Sequence, residues 1–290
     1  MTAFSPVSAA FEGFRVLRRQ PKAVLIWTLL WLAALSVMAV VVASGDRVVV
    51  ARHAPHRNLW EITRQFGPFA VVFIAMLLVI WASTTVATFR AVLQPERKES
   101  FFLRLSADEL RLAIMTITAV GLVLVAGGAP AFLLFALVSP LMAAAPTFAR
   151  DVATLGAVAT VWLDIWLAVR LSLIAVETFA EGRFHLTAYW PLTRGRFWYL
   201  MASYAICFAI FFLFLIFFGL AGLLLGAVQN AVGLPVGLDL VRRTVLLGLA
   251  GFLALLTAGF FVVSTTLFCA CQAHAFRAIV ATHPADAART

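Results

Sequence analysis

Six apolar runs, each long enough to cross a bilayer, constrain this chain more than any other feature: Ala23–Ala43, Pro68–Leu93, Leu112–Leu141, Ala153–Phe179, Phe197–Val228 and Thr244–Gln272. A hydrocarbon core about 30 Å thick takes about 20 helical residues at ~1.5 Å each. Without water to satisfy the backbone, only helices or closed barrels cross it, and runs of this length without two-residue alternation are helices. The expected fold is all-α, a polytopic helical membrane bundle of six transmembrane helices, with residues 1–290 as a single integral membrane domain. Composition decides against a soluble alternative, because 63% hydrophobic and 12% charged side chains exceed what one core can hide. The first run is longer than a signal-peptide core and reads as an uncleaved span.

The formal charge of +9 raises the question of nucleic acid, but the basic residues sit beside apolar runs, where topology signals belong. With the N-terminus inside, the inner segments hold fourteen Lys and Arg, among them Arg18, Arg19, Lys22, Arg104, Arg111, Arg194 and Arg196. The outer loops hold seven, and Arg170 lies within a span. This excess predicts both termini in the cytoplasm. Arg47, Arg52, Arg57 and Arg64 in the first outer loop run against the trend. The expected partners are membrane lipids with anionic headgroups, together with a membrane protein partner or a homo-oligomer, and no nucleic acid.

An aromatic and basic segment precedes each pair of spans: "FEGFRVLRRQPKAVL", "FFLRLSADELRLAI" and "YWPLTRGRFWYLM". Aligning Leu17, Leu105 and Leu192 suggests three repeats, 1–98, 99–186 and 187–290, each an interfacial helix followed by a two-span hairpin. In the second segment Arg104, Asp108, Glu109 and Arg111 can meet water while leucines face lipid, so it is expected to lie flat. In the third, Trp190 and Trp198 are expected at headgroup depth, with Arg194 and Arg196 on phosphate. The competing explanation is that any hairpin protein opens its spans with such residues.

Asp164 and Arg170 fall inside the fourth run, where a charge at a helix centre costs about 2.5–3.5 kcal/mol on insertion scales. Six residues turn a helix by about 600°, which leaves their side chains about 120° apart and excludes a simple bridge. Glu177, seven residues beyond Arg170, is expected on its face, and Trp166 is a candidate ring partner four residues back. Two readings stay open: a proton or solute site in the bundle, or a structural pair of contacts to neighbouring helices and phosphates. In the third run Gly127, Gly128 and Pro130 should loosen or break the helix, since proline lacks a donor and glycine does not hold the ladder.

Catalytic patterns are absent from the sequence: no His-Glu-x-x-His, no Walker-type loop, no Gly-x-Ser-x-Gly. His53, His56 and Glu61 form only a weak metal pattern. Cys207, Cys269 and Cys271 read as buried packing thiols. Ser83, Thr84 and Thr85, echoed by Ser264, Thr265 and Thr266, read as helix-packing hydroxyls. No catalytic residue, metal or cofactor is expected. The segments "FRVLRRQPKAVL", "FFLRLSADELRLAI" and "AEGRFHLTAYWPLTRGRFWYL" resemble bacterial multi-span proteins akin to the membrane domain attached to some glycerophosphodiester phosphodiesterases. That resemblance implies a helical protein of a bacterial cytoplasmic (inner) membrane, of undefined activity, with no hydrolase domain expected in residues 1–290 and no catalytic residue carried across. The leading expectation is a non-enzymatic membrane component that assembles a complex or binds lipid. The alternative is a solute, lipid or proton-coupled transporter or channel using Asp164 and Arg170.

Overall fold

The computed structural model describes residues 5–50, 59–96, 103, 107–182, 193–231 and 239–282. Arg104 and Trp190, with Leu105, Leu192, His53 and His56, lie outside the described residues. The helices run α1 (Pro6–Arg19), α2 (Pro21–Val50), α3 (Leu59–Leu93), α4 (Ala107–Ala144), α5 (Pro146–Leu171), α6 (Ile174–Glu181), α7 (Phe197–Ala231) and α8 (Asp239–Thr282). No strand occurs among the described residues, so the chain is all-α.

Five stretches are long and apolar enough to cross a membrane: Val71–Leu93, Ala107–Met142, Pro146–Glu181, Phe197–Leu224 and Gly251–Ala281. A sixth candidate is α2, which passes the same test together with α1 over Pro6–Arg19 and Pro21–Val37, the two being bent by 94°. This is a multi-pass membrane protein. The bend follows from Pro21, which is tolerated at a helix start and cannot continue the preceding helix. Gln20 bridges it, donating its backbone N–H to Val16 O at 2.9 Å and accepting that of Val24 at 3.1 Å.

The chain divides into two compact units, one of Met1–Pro6, Leu105–Ser203 and Gln272–Thr290, the other of Val7–Arg104 and Tyr204–Cys271. The core of the second sets Trp27 and Trp31 of α2 among the small side chains of Ala87 and Ala258 and beside Val262. Large rings against alanines are a knob-and-hollow arrangement, and Trp31 stacks on Phe261 with centroids 4.9 Å apart. In the same unit α1 buries Ala9, Ala10, Gly13 and Val16, and Gly13 meets Leu267 of α8. At Gly13 the approach is so close that a Cβ would stand 2.6 Å from Leu267 Cα.

Three boundaries differ from the sequence reading. Asp108, Glu109 and Arg111 do not form a separate flat helix; they are in the opening turns of α4, which runs unbroken from Ala107. Two acidic residues in a first turn complement the helix dipole, and no glycine or proline separates them from the span. The outer loop expected between Leu141 and Ala153 shrinks to Ala145 alone, because Pro146 starts α5 at the position where proline fits best. The fourth run is interrupted at Ser172 and Leu173, where Ser172 Oγ donates to Val169 O at 2.7 Å, and α6 then ends on Gly182 in the left-handed region (φ 65°).

Candidate functional site

Asp164 and Arg170 both lie on α5, which forms a hairpin with α4. With a single turn residue the two helices run antiparallel in fixed register, and residues at equal distance from Ala145 face one another. Asp164 of α5 therefore reaches Gly127 of α4. A Cβ on Gly127 would overlap both carboxylate oxygens. About two turns nearer the hairpin tip the exchange is reversed, and Leu134 of α4 fills the hollow over Gly156 of α5. Small residues that admit a partner's side chain are the usual means of close packing between helices in lipid.

The loosening expected at Gly127, Gly128 and Pro130 does not become a break: α4 continues through Pro130 and Pro140. Proline removes one rung of the ladder, but in a membrane helix nearby hydroxyls can take up the freed carbonyl. At Pro140 this is visible, because Ala136 O, which has lost its i+4 donor, accepts from Ser139 Oγ at 3.4 Å. Gly127 thus opens space for Asp164 rather than breaking the helix, whereas a Cβ on neighbouring Gly128 would meet nothing within 4 Å.

Asp164 is partly buried, and its Oδ1 is inaccessible, with no hydrogen-bond partner among the described residues. Arg170 lies elsewhere, as the helical angle requires. Its Nη1 donates to Thr193 Oγ1 at 2.9 Å, and its guanidinium carbon sits 5.6 Å from the Trp166 ring centre. Thr193 is fully buried, in the turn before α7 where Arg196 N donates to Thr193 O at 3.2 Å. Replacing Thr193 by valine keeps the volume and removes the acceptor. Charged hydrogen bonds contribute about 1.5–3 kcal/mol. Thr193→Val should lower thermal stability in detergent by that order, while Thr193→Ser stays near wild type; equal melting of both would show that the bond carries nothing.

Glu177 does not join Arg170. Ser172 and Leu173, between α5 and α6, keep right-handed helical dihedrals (φ −59°, ψ −31° and φ −83°, ψ −10°), so a shared face does not by itself bring the two side chains together. Only 2% exposed, it has no hydrogen-bond partner on either oxygen among the described residues. Arg111 binds Asp108 at 3.3 Å. Arg194 is exposed, Arg196 is half-buried, and Trp198, though exposed, lies with its ring 6.3 Å from that of Trp162. Arg18, Arg19 and Lys22 are all exposed around the α1–α2 elbow.

In the second unit the hydroxyls behave as packing groups. Thr84 and Thr88 donate back to Ile80 O (2.9 Å) and Thr84 O (2.8 Å), and the Cys269 thiol donates across to Thr85 Oγ1 at 3.6 Å. Cys207 and Cys271 are free thiols in hydrogen-bond contact with one another. No group of three or more metal-ligating side chains occurs among the described residues. Sequence reasoning missed Gly13, Gly156 and Thr193, since each acts through a partner far away in the chain. Comparison of the chain with protein-family models, curated proteins and solved structures gives no match.

Proposed function

We propose that this protein is a non-enzymatic component of a bacterial cytoplasmic membrane, with both termini cytoplasmic, that holds lipid or another membrane protein along spans which the chain itself leaves uncovered. One observation carries this reading. In an 18-residue apolar stretch of each span, only 6%, 11% and 6% of the residues of α4, α5–α6 and α7 are buried, against 39% for α3 and 33% for α8. Helices so little covered by their own chain offer their apolar surface to what surrounds them. Between α4 and α5 that surface dips into an apolar groove of about 440 Å³, lined by Leu134, Phe135, Val138, Met142, Ala157 and Val161, which hydrocarbon or a partner's side chains would fill. The resemblance to the phosphodiesterase-linked membrane domains is compatible with this role and adds no residue to it.

The test is mild-detergent extraction from native membranes, followed by mass spectrometry of what stays bound. A stoichiometric protein or lipid supports the proposal; a bare monomer with neither overturns it. The unpartnered Oδ1 of Asp164 favours a second reading, transport of a proton or small solute. Under the first proposal Asp164→Asn, which keeps the shape filling the Gly127 hollow, should leave partner retention unchanged. Flux through proteoliposomes that Asp164→Asn abolishes would put the second reading first.

A further inference from the structure

The α1–α2 elbow carries an inference that rests on the membrane reading above and names a ligand. α1 has three distinct faces. Ala9, Ala10, Gly13 and Val16 are buried against the protein. Ser8, Glu12 and Arg15 satisfy one another, with Arg15 Nη1 2.6 Å from Glu12 Oε2 and 3.5 Å from Ser8 Oγ. The third face repeats at intervals of four, three and four residues: Val7, Phe11, Phe14 and Arg18. Val7 and Phe11 are 55% and 46% exposed, and the Phe11 and Phe14 rings lie 5.7 Å apart. An apolar stripe that ends in a cation has the polarity of a lipid lying alongside it.

Arg18 is not alone at that end. Arg19 closes α1, and the 94° turn brings in Lys22 at the start of α2. All three are exposed and have no hydrogen bond or ion pair among the described residues, unlike Arg15. No acidic residue occurs in the sequence between Glu12 and Asp46. Arg18 and Arg19 gain from the C-terminal end of the α1 dipole, but Lys22 opposes the N-terminal end of α2, so the cluster lacks an internal counter-charge. Where α2 crosses the bilayer, a helix bent at about a right angle from it runs along the membrane plane, and Gly13 holds it against Leu267 of α8.

We propose that the elbow is a binding site for an anionic phospholipid, whose headgroup phosphate is held by Arg18, Arg19 and Lys22 and whose acyl chains lie beside Phe11 and Phe14. A zwitterionic lipid carries no net charge to answer three cations, so the site discriminates by charge and places its ligand by the aromatic stripe.

The full chain is reconstituted in phosphatidylcholine vesicles containing a trace of chain-spin-labelled phosphatidylglycerol or of the matching phosphatidylcholine, and the motionally restricted fraction is read by electron paramagnetic resonance. The wild type should prefer phosphatidylglycerol several-fold. The variant Arg18→Gln/Arg19→Gln/Lys22→Gln should bring that preference to about one, and the charge-matched variant Arg150→Gln/Arg242→Gln/Arg277→Gln should keep most of it. No preference in the wild type, or equal loss in both variants, overturns the site. A photoactivatable phosphatidylglycerol supplies a test that needs no variant: crosslinks should map between Val7 and Lys22, and crosslinks confined elsewhere overturn the proposal. Wild-type protein that shows no lipid preference yet retains a stoichiometric protein partner would remove this site and leave the proposed function standing.

Discussion

Gly13→Ala should lift α1 off α8. The added methyl would stand 2.6 Å from Leu267 Cα, 2.8 Å from its Cδ2 and 3.1 Å from its backbone nitrogen, and two of those atoms belong to a helix backbone that has no rotamer to change. Overpacking of this kind typically costs about 1–3 kcal/mol, and here α1 can escape only by leaving its seat. Two readouts should move together: a lower melting temperature in detergent, and faster tryptic cleavage after Arg15, Arg18 and Arg19 in proteoliposomes. Gly259→Ala is the matched control in α8, where a Cβ meets nothing within 4 Å and alanine gains up to about 1 kcal/mol of helix propensity. If Gly13→Ala melts and is cleaved like the wild type, the close crossing does not hold α1.

The second large effect is expected at Gly127. A methyl there overlaps the Asp164 side chain, which must leave its seat or push the two helices apart. Such overpacking typically costs about 1–3 kcal/mol, so Gly127→Ala should destabilise the hairpin by that order. Gly128→Ala, one residue on and facing open space, should be neutral or slightly stabilising. Asp164→Ala should rescue Gly127→Ala, with a coupling of about 1.5 kcal/mol or more in a double-mutant cycle. Additive effects would mean that the two residues do not share the contact.

Much of the helical layout was legible because hydrocarbon imposes one requirement on every span, and length with apolarity is read directly from residues such as those of Phe197–Leu224. Asp164 and Gly127 were each conspicuous on their own, one as a charge in an apolar run, the other as part of a Gly-Gly-Ala-Pro break. Their contact was not legible, because it depends on where the chain turns. Taking α4 to stop near Leu141 and α5 to begin near Ala153 hid the tip at Ala145 that fixes the register. The cue was present in Pro146, a residue suited to the first turn of a helix. Glu177 shows the same limit in reverse: the spacing of seven residues suggested Arg170 as its partner, but Arg170 turns to Thr193 on another segment, which no local spacing reveals. Gly13 gave no local sign, since its role is written in Leu267.

The one-residue turn at Ala145 also limits which changes of length the hairpin tolerates. With a single residue between α4 and α5 there is no slack at the tip to absorb a shift. The seating of Asp164 on Gly127 and of Leu134 on Gly156 is set by the number of residues on each side of Ala145, and one residue inserted in α5 ahead of Gly156 would turn both positions by about 100° away from their partners.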